Sequence, residues 1–213
     1  MKSSKLFLSS IVVISGLFLS TSTFVKAADD SDSATANTTA QFNVEPGQLN
    51  LKSAPDFNFG GHTLQDLMTL INNKASMSQS GNTVDPHSDS HDITSDNSHL
   101  AVSDYRGSGN SWQLSASISD FKNLNGTGTV SGLINLAGVN KDASISGSQS
   151  VIWTSDQAYT AQGELIDGQG ESSIDMSQGS TLTLSNPLAL QSGNYQATVN
   201  WVLENTTQSA TKG

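Results

Sequence analysis

The chain contains no cysteine. No disulfide can staple it, no thiol can act as nucleophile, and no thiol is available to carry a lipid near an export cleavage site. A domain built this way rests on its own apolar core. The length allows it, since a domain of about 150 residues already buries about 70% of its unfolded surface. Basic residues are scarce too: nine Lys and Arg stand against 19 Asp and Glu, a net charge of −10. Phosphate would repel such a chain, which makes it a poor candidate for binding nucleic acid or anionic membrane. Only one long apolar run occurs, Leu6 to Leu19, and it is short of the roughly 20 residues a membrane helix needs. Lys2 and Lys5 precede it, and Val25-Lys26-Ala27 follows with small or short side chains where a signal peptidase reads. Residues 1–27 therefore read as a removable export signal cut after Ala27, with Ala28 as the neighbouring alternative. The cut removes Lys2, Lys5 and Lys26, leaving six basic residues against the same 19 acids, a net of −13. No apolar tail and no Leu-Pro-x-Thr-Gly signal closes the chain, which ends "ENTTQSATKG". The expectation is an exported protein with no membrane span after signal removal and no covalent anchor. It either diffuses away or is held non-covalently.

What is present beyond the signal is mostly β pattern. Residues 28–40, "ADDSDSATANTTA", are small, polar and acidic, and read as a disordered lead-in. From Gln41 apolar residues alternate: Phe42 and Val44, a turn at Pro46-Gly47, then Leu49 and Leu51. "HTLQDLMTLINNKASM" is the helical candidate, a short helix of one or two turns, with Leu64, Leu67, Met68 and Ile71 at helical spacing and His62 or Thr63 as cap. Residues 78–99 carry almost no apolar periodicity and read as a long polar loop. Strict alternation then sets in. Trp112, Leu114, Ala116 and Ile118 share one face of a strand and Gln113, Ser115, Ser117 and Ser119 the other. Further strands are expected around Val130–Leu136, Ser144–Ser146, Val151–Trp153, Ser172–Met176 and Thr181–Leu184. A long last strand places Tyr195, Ala197, Val199, Trp201 and Leu203 on one face. Many short strands, regular turns and little helix define an all-β class, an antiparallel sandwich or barrel-like single domain over residues 41–207, followed by a polar tail at 208–213.

Catalytic patterns are missing. Glycoside hydrolysis needs a marked pair of carboxylates, and Asp104, Asp120, Glu164 and Glu171 read instead as turn or solvated-face residues. "GSGNSW" does not match the G-x-S-x-G nucleophile turn. "RGSGN" at 106–110 lacks the lysine and helix of a phosphate cradle and reads as a tight turn. The segment 85–99 gathers His87, His91 and His99 with Asp85, Asp89, Asp92 and Asp96. It lacks the central glycine and terminal glutamate of a calcium loop, and its Ser/Asp composition resists the helix that would align His87 with His91. A solvated loop is the expectation, with no metal and no cofactor.

The distinctive feature is a repeated triplet, Trp-x-Leu. It occurs at Trp112-Gln113-Leu114 and at Trp201-Val202-Leu203 and takes two of the three tryptophans. On a strand the Trp and Leu of each triplet face the same way, so both suit a core. Antiparallel pairing, or a parallel pairing with a stagger, would also bring the two triplet ends together at a sheet edge, where two indoles could form a platform for sugar rings. The flanking sequence resembles the WxL-domain surface proteins of low-GC Gram-positive bacteria. "QLNLKSAPDFNFGG" is similar to the opening of that family, "VSDYRGSGNSWQLSASISDF" to its first motif region and "SGNYQATVNWVLENT" to its closing strand. The resemblance covers about Gln41 to Thr206. It departs at the end, where the family tends to have a proline and "ENTTQ" has none. The resemblance implies a β-sandwich that attaches non-covalently to peptidoglycan or another wall polymer, works beside other WxL-system surface proteins, and is not an enzyme. Carried over by motif, the binding positions are Trp112, Leu114, Trp201 and Leu203. The alternative it leaves is an adhesin or assembly subunit whose WxL edge binds a partner surface protein or host matrix.

Overall fold

The structure, a computed structural model, describes residues 36–68, 74–85, 96–107, 109–139, 143–158 and 168–206. The expected signal at 1–27, most of the lead-in, the centre of the His/Asp loop and the tail from 207 lie outside the described residues. The chain divides into two units, Met1–Asn43 and Val44–Gly213. In the first, residues 36–43 are exposed and carry no regular secondary structure. Among the described residues no helix is long and apolar enough to cross a membrane.

The second unit carries all the described strands. In chain order they begin with β1 (Leu49–Ser53), β2 (Lys74–Ser78), β3 (His99–Asp104), β4 (Ser111–Ile118) and β5 (Phe121–Asn123). Then come β6 (Thr129–Val130), β7 (Gly132–Asn135), β8 (Ser144–Ile145) and β9 (Ser150–Thr154). The last are β10 (Gly170–Asp175), β11 (Thr181–Ser185), β12 (Tyr195–Gln196) and β13 (Val199–Thr206). They form four small sheets, ordered β1-β3-β10, β2-β11-β7-β8, β12-β5-β6 and β13-β4-β9. Every pairing between them is antiparallel. The all-β class expected from the alternation is the one observed.

Alternation explains most of the burial. In β4, Trp112, Leu114, Ala116 and Ile118 are all at most 4% exposed. β4 is the central strand of its sheet, and Ser111 and Ser115 on its other face are buried as well. Small hydroxyl side chains suit such a position, because they fill little volume. β9 breaks strict alternation: Leu114 pairs with Trp153 and Ser115 with Val151, so Ile152 is an extra residue in the ladder. That bulge lets the successive residues Ile152 and Trp153 both turn inward.

Three expectations needed correction. Phe42 and Val44 alternate, yet they lie in no strand and are 87% and 75% exposed. Alternation makes a strand only where a partner edge is in reach. The one short helix expected is present as α1 (Leu64–Met68), and Ile71 of its candidate segment lies outside the described residues. Thr63 caps it: its hydroxyl accepts from the Asp66 amide at 3.1 Å, and Asp66 Oδ2 accepts from the Thr63 amide at 3.2 Å. The correction is at the end of that candidate, residues 74–77, which instead belong to β2, with Ala75 and Met77 inward against β11. Finally, the long last strand is two. β12 pairs with β5 and β13 with β4, and Ala197 and Thr198 turn the chain from one sheet to the other.

Candidate functional site

The two Trp-x-Leu triplets lie on neighbouring strands. β13 runs antiparallel to β4 with Leu203 opposite Leu114, Trp201 opposite Ala116 and Asn205 opposite Trp112. The pairing expected from the sequence therefore exists, but it joins leucines. Each triplet reads Trp before Leu along its own strand. When the leucines oppose each other in antiparallel strands, the tryptophans must lie on opposite sides of them. The indoles are thus four ladder positions apart, roughly 13 Å at the usual rise per residue. No paired indole platform forms.

The first triplet is interior. Trp112 is 1% exposed and Leu114 0%. The Trp112 ring meets Trp153 edge to face, with centroids 5.1 Å apart and planes at 84°, the geometry in which a positive ring edge meets a negative face. Its Nε1–H donates to the Gly168 carbonyl at 3.1 Å. Trp153 is buried too and donates to the Gln157 carbonyl at 3.2 Å. Gly168 has φ +74°, and a Cβ there would stand 2.5 Å from Trp112 Nε1. Glycine is required at this position for the indole to fit.

The turn before β4 is braced by an ion pair. Arg106 donates through Nε to Asp104 Oδ1 at 2.9 Å and through Nη2 to Oδ2 at 2.7 Å. Nη2 also donates to the Ser111 carbonyl at 3.2 Å. Asp104, expected on a turn or solvated face, is in fact 2% exposed. The hydrogen bonds from the Arg106 guanidinium hold its carboxyl below the usual carboxylate range. "DYRG" is therefore a fastening that ties the end of β3 to the start of β4.

The second triplet is at a margin. β13 is an edge strand of its sheet, and Trp201 and Leu203 are half-buried. Trp201 sits opposite the small Ala116 and lines a groove of about 1050 Å³. Phe57, Phe121 and Tyr195, each half-buried, line the same groove. The Tyr195 hydroxyl is held by Gln191, accepting from its amide at 3.0 Å and donating to its carbonyl at 3.2 Å. Asn97, Asn194 and Thr198 add amide and hydroxyl groups to the lining. Its ionisable members are Asp56, His62 and Asp85, without a lysine or arginine.

The four sequence-derived site residues, then, share one face of the sheet: Trp112 and Leu114 are fully buried on the central strand, Trp201 and Leu203 are partly buried on the edge strand and packed against the same core, and Trp201 also lines the groove. The groove aromatics Phe57, Phe121 and Tyr195 were not singled out in the sequence, because they come from segments far apart in the chain. Within the His/Asp segment, Asp85 and residues 96–99 are described, while His87, Asp89, His91 and Asp92 lie outside. Asp96 accepts from the Ser98 amide at 3.0 Å and lies 2.9 Å from His99 Nδ1. Those contacts, the Ser98 amide first, lower its pKa to about 2. Among the described residues no group of three or more His, Asp or Glu side chains is placed to hold a metal.

A family model described as WxL domain, surface cell wall-binding, matches residues 26–207. No curated protein and no solved structure matches the chain.

Proposed function

Because the chain belongs to the WxL family of surface cell wall-binding domains, we propose that it is an exported, non-catalytic protein attached non-covalently to the wall of a Gram-positive cell, with peptidoglycan as its anchor. The observation that carries this reading is the extent of the match. It spans the whole described fold, from the lead-in to the end of β13, and not an isolated motif. In this reading the second triplet and its groove face the ligand, while Trp112 and Leu114 hold up the sheet beneath.

The test is sedimentation with purified walls. The protein should pellet with them, and more strongly at low pH. Protonation of its carboxylates then relieves repulsion from the anionic polymers of such a wall. A protein that stays in the supernatant across pH and salt would overturn the proposal. The turbidity of the wall suspension should stay constant, and a steady fall would reveal an enzyme.

One feature favours a second reading. β13 is eight residues long, lies at a sheet edge and exposes Val202. An extended segment of a partner surface protein could add to such an edge through main-chain hydrogen bonds. A pull-down from surface extracts that recovers one dominant protein, with no binding to stripped walls, would support this reading over the first.

A further inference from the structure

We infer that the open edge of β13 is a self-association surface, on which a second copy of the chain adds its own β13 antiparallel, about a two-fold axis through Val202.

The edge is open and regular. β13 pairs with β4 along all eight of its residues, from Val199 opposite Ile118 to Thr206 opposite Ser111, with no break in register. On its other side no strand pairs with it among the described residues. β1 comes near β13 but pairs with β3. Sheets usually blunt such an edge with a bulge, a proline or a lysine. β1 and β9, also at sheet edges, each carry a break in register. β13 reads "VNWVLENT" and has none of these devices; its one charge is Glu204. Main-chain N–H and C=O groups left unpaired along a regular strand are a template for another strand.

The side chains of β13 select the occupant. A sheet that continues across two copies keeps each face on its own side, so residues of the same orientation oppose each other. Centred on Val202, antiparallel pairing sets Val202 against Val202 of the second copy. It sets Asn200 against Glu204 of the second copy and Trp201 against Leu203 of the second copy. The Asn200 amide then donates to a carboxylate that keeps lone pairs beyond the one Gln113 fills. The aromatic–aliphatic pair occurs twice and is favourable across strands. Within its own chain Trp201 has only Ala116 opposite, and Trp201 and Leu203 stay partly buried although packed against the core. A Trp-x-Leu triplet is self-complementary: turned about its middle residue, it sets each tryptophan beside a leucine.

Other registers lose this match. Centring on Leu203 sets Val202 against Glu204 and Trp201 against Asn205. Centring on Trp201 shortens the ladder and sets Val202 against Asn200. Centring on Glu204 sets like charges face to face, which destabilises a strand pair. Any extended segment can meet the main chain of this edge; the second copy also matches its side chains on both faces. A seam of this length belongs to the transient class of interfaces. Both copies are acidic, at net −10 each, so added salt should strengthen the association by screening their repulsion.

The chain has no cysteine, so introduced thiols report the seam cleanly. Val202→Cys should form a disulfide-linked dimer under mild oxidation, because the two-fold axis brings position 202 against itself, within the about 7 Å limit for a disulfide. Asn200→Cys should not, since its two copies lie four ladder positions apart, roughly 13 Å. The double variant Asn200→Cys, Glu204→Cys should crosslink again. In sedimentation velocity over rising concentration the wild-type chain should pass from monomer to dimer, more readily at high salt. Val202→Lys should raise the dissociation constant about tenfold or more, because it sets two like charges face to face. Positions 200, 202 and 204 are exposed, so every variant should keep the wild-type melting transition. A wild-type chain that stays monomeric at every concentration would overturn the proposal, as would equal crosslinking of Val202→Cys and Asn200→Cys. A monomer that captures a surface protein, and loses it on Val202→Lys, would give the edge to that partner instead.

Discussion

The same three-letter motif occupies two different physical settings. In β4 the Trp-x-Leu pair lies on a central strand, covered by β9 on one side and β13 on the other. In β13 it lies on an edge strand and is only partly buried. Trp112 has a ring partner, a hydrogen-bond acceptor and a glycine shaped around it. Trp201 has an alanine opposite and a groove above. Equal motifs therefore have unequal settings: strand position in the sheet decides whether an indole is fully enclosed or is only partly covered beside a groove.

That contrast can be broken by mutation. Trp112→Ala should have the largest effect on stability, about 3–5 kcal/mol, the usual cost of emptying a buried aromatic site. Chemical denaturation should show it, and at this cost much of the protein should unfold at physiological temperature. Gly168→Ala should come next, at about 2–3 kcal/mol, because it forces a side chain into a left-handed backbone and onto the indole. A mild effect there would mean that the Trp112 pocket yields more easily than its contacts imply.

The Asp104–Arg106 fastening sharpens the comparison through pH. Asp104 has a folded pKa below its unfolded value of 3.8. Its contribution is fully present above that value and is lost as pH falls through the lowered one. Arg106→Met should cost about 2 kcal/mol at neutral pH, in the range for hydrogen bonds to a charged group. It should also flatten the acid limb of the stability profile, because Asp104 then gains nothing from ionising. Melting curves between pH 7 and pH 2 check both parts, and an unchanged acid limb would remove Asp104 as a contributor. Trp201→Ala should be the smallest, about 1 kcal/mol for a ring that is only partly buried at a sheet edge, while wall binding falls sharply. If Trp201→Ala destabilised the protein as much as Trp112→Ala, the distinction between the two triplets would be lost.

Much of the fold was legible in the chain because β structure with one buried face writes period two into the sequence. β4, β9, β10 and β11 all fall where alternation placed them. The failures share one cause. Phe42 and Val44 alternate without a partner strand, and Lys74 to Met77 looked like the end of a helix until β11 paired with it. Local pattern states what a segment is able to form, and its neighbours determine what it does form. Trp153 shows the same limit from inside. It carries no motif, yet it is the ring that fixes Trp112, because a bulge in β9 turns it inward.

Taken alone, the sequence determined the all-β class, the alternating inner face of β4 and the membership in a wall-binding family, since each is carried by residue order over short spans. The tertiary structure decided the rest. Register set leucine against leucine and sent the two indoles apart. Sheet order buried one and left the other at an edge. The groove aromatics come from positions 57, 59, 121, 195 and 201, and only folding brings together side chains that chain distance keeps apart.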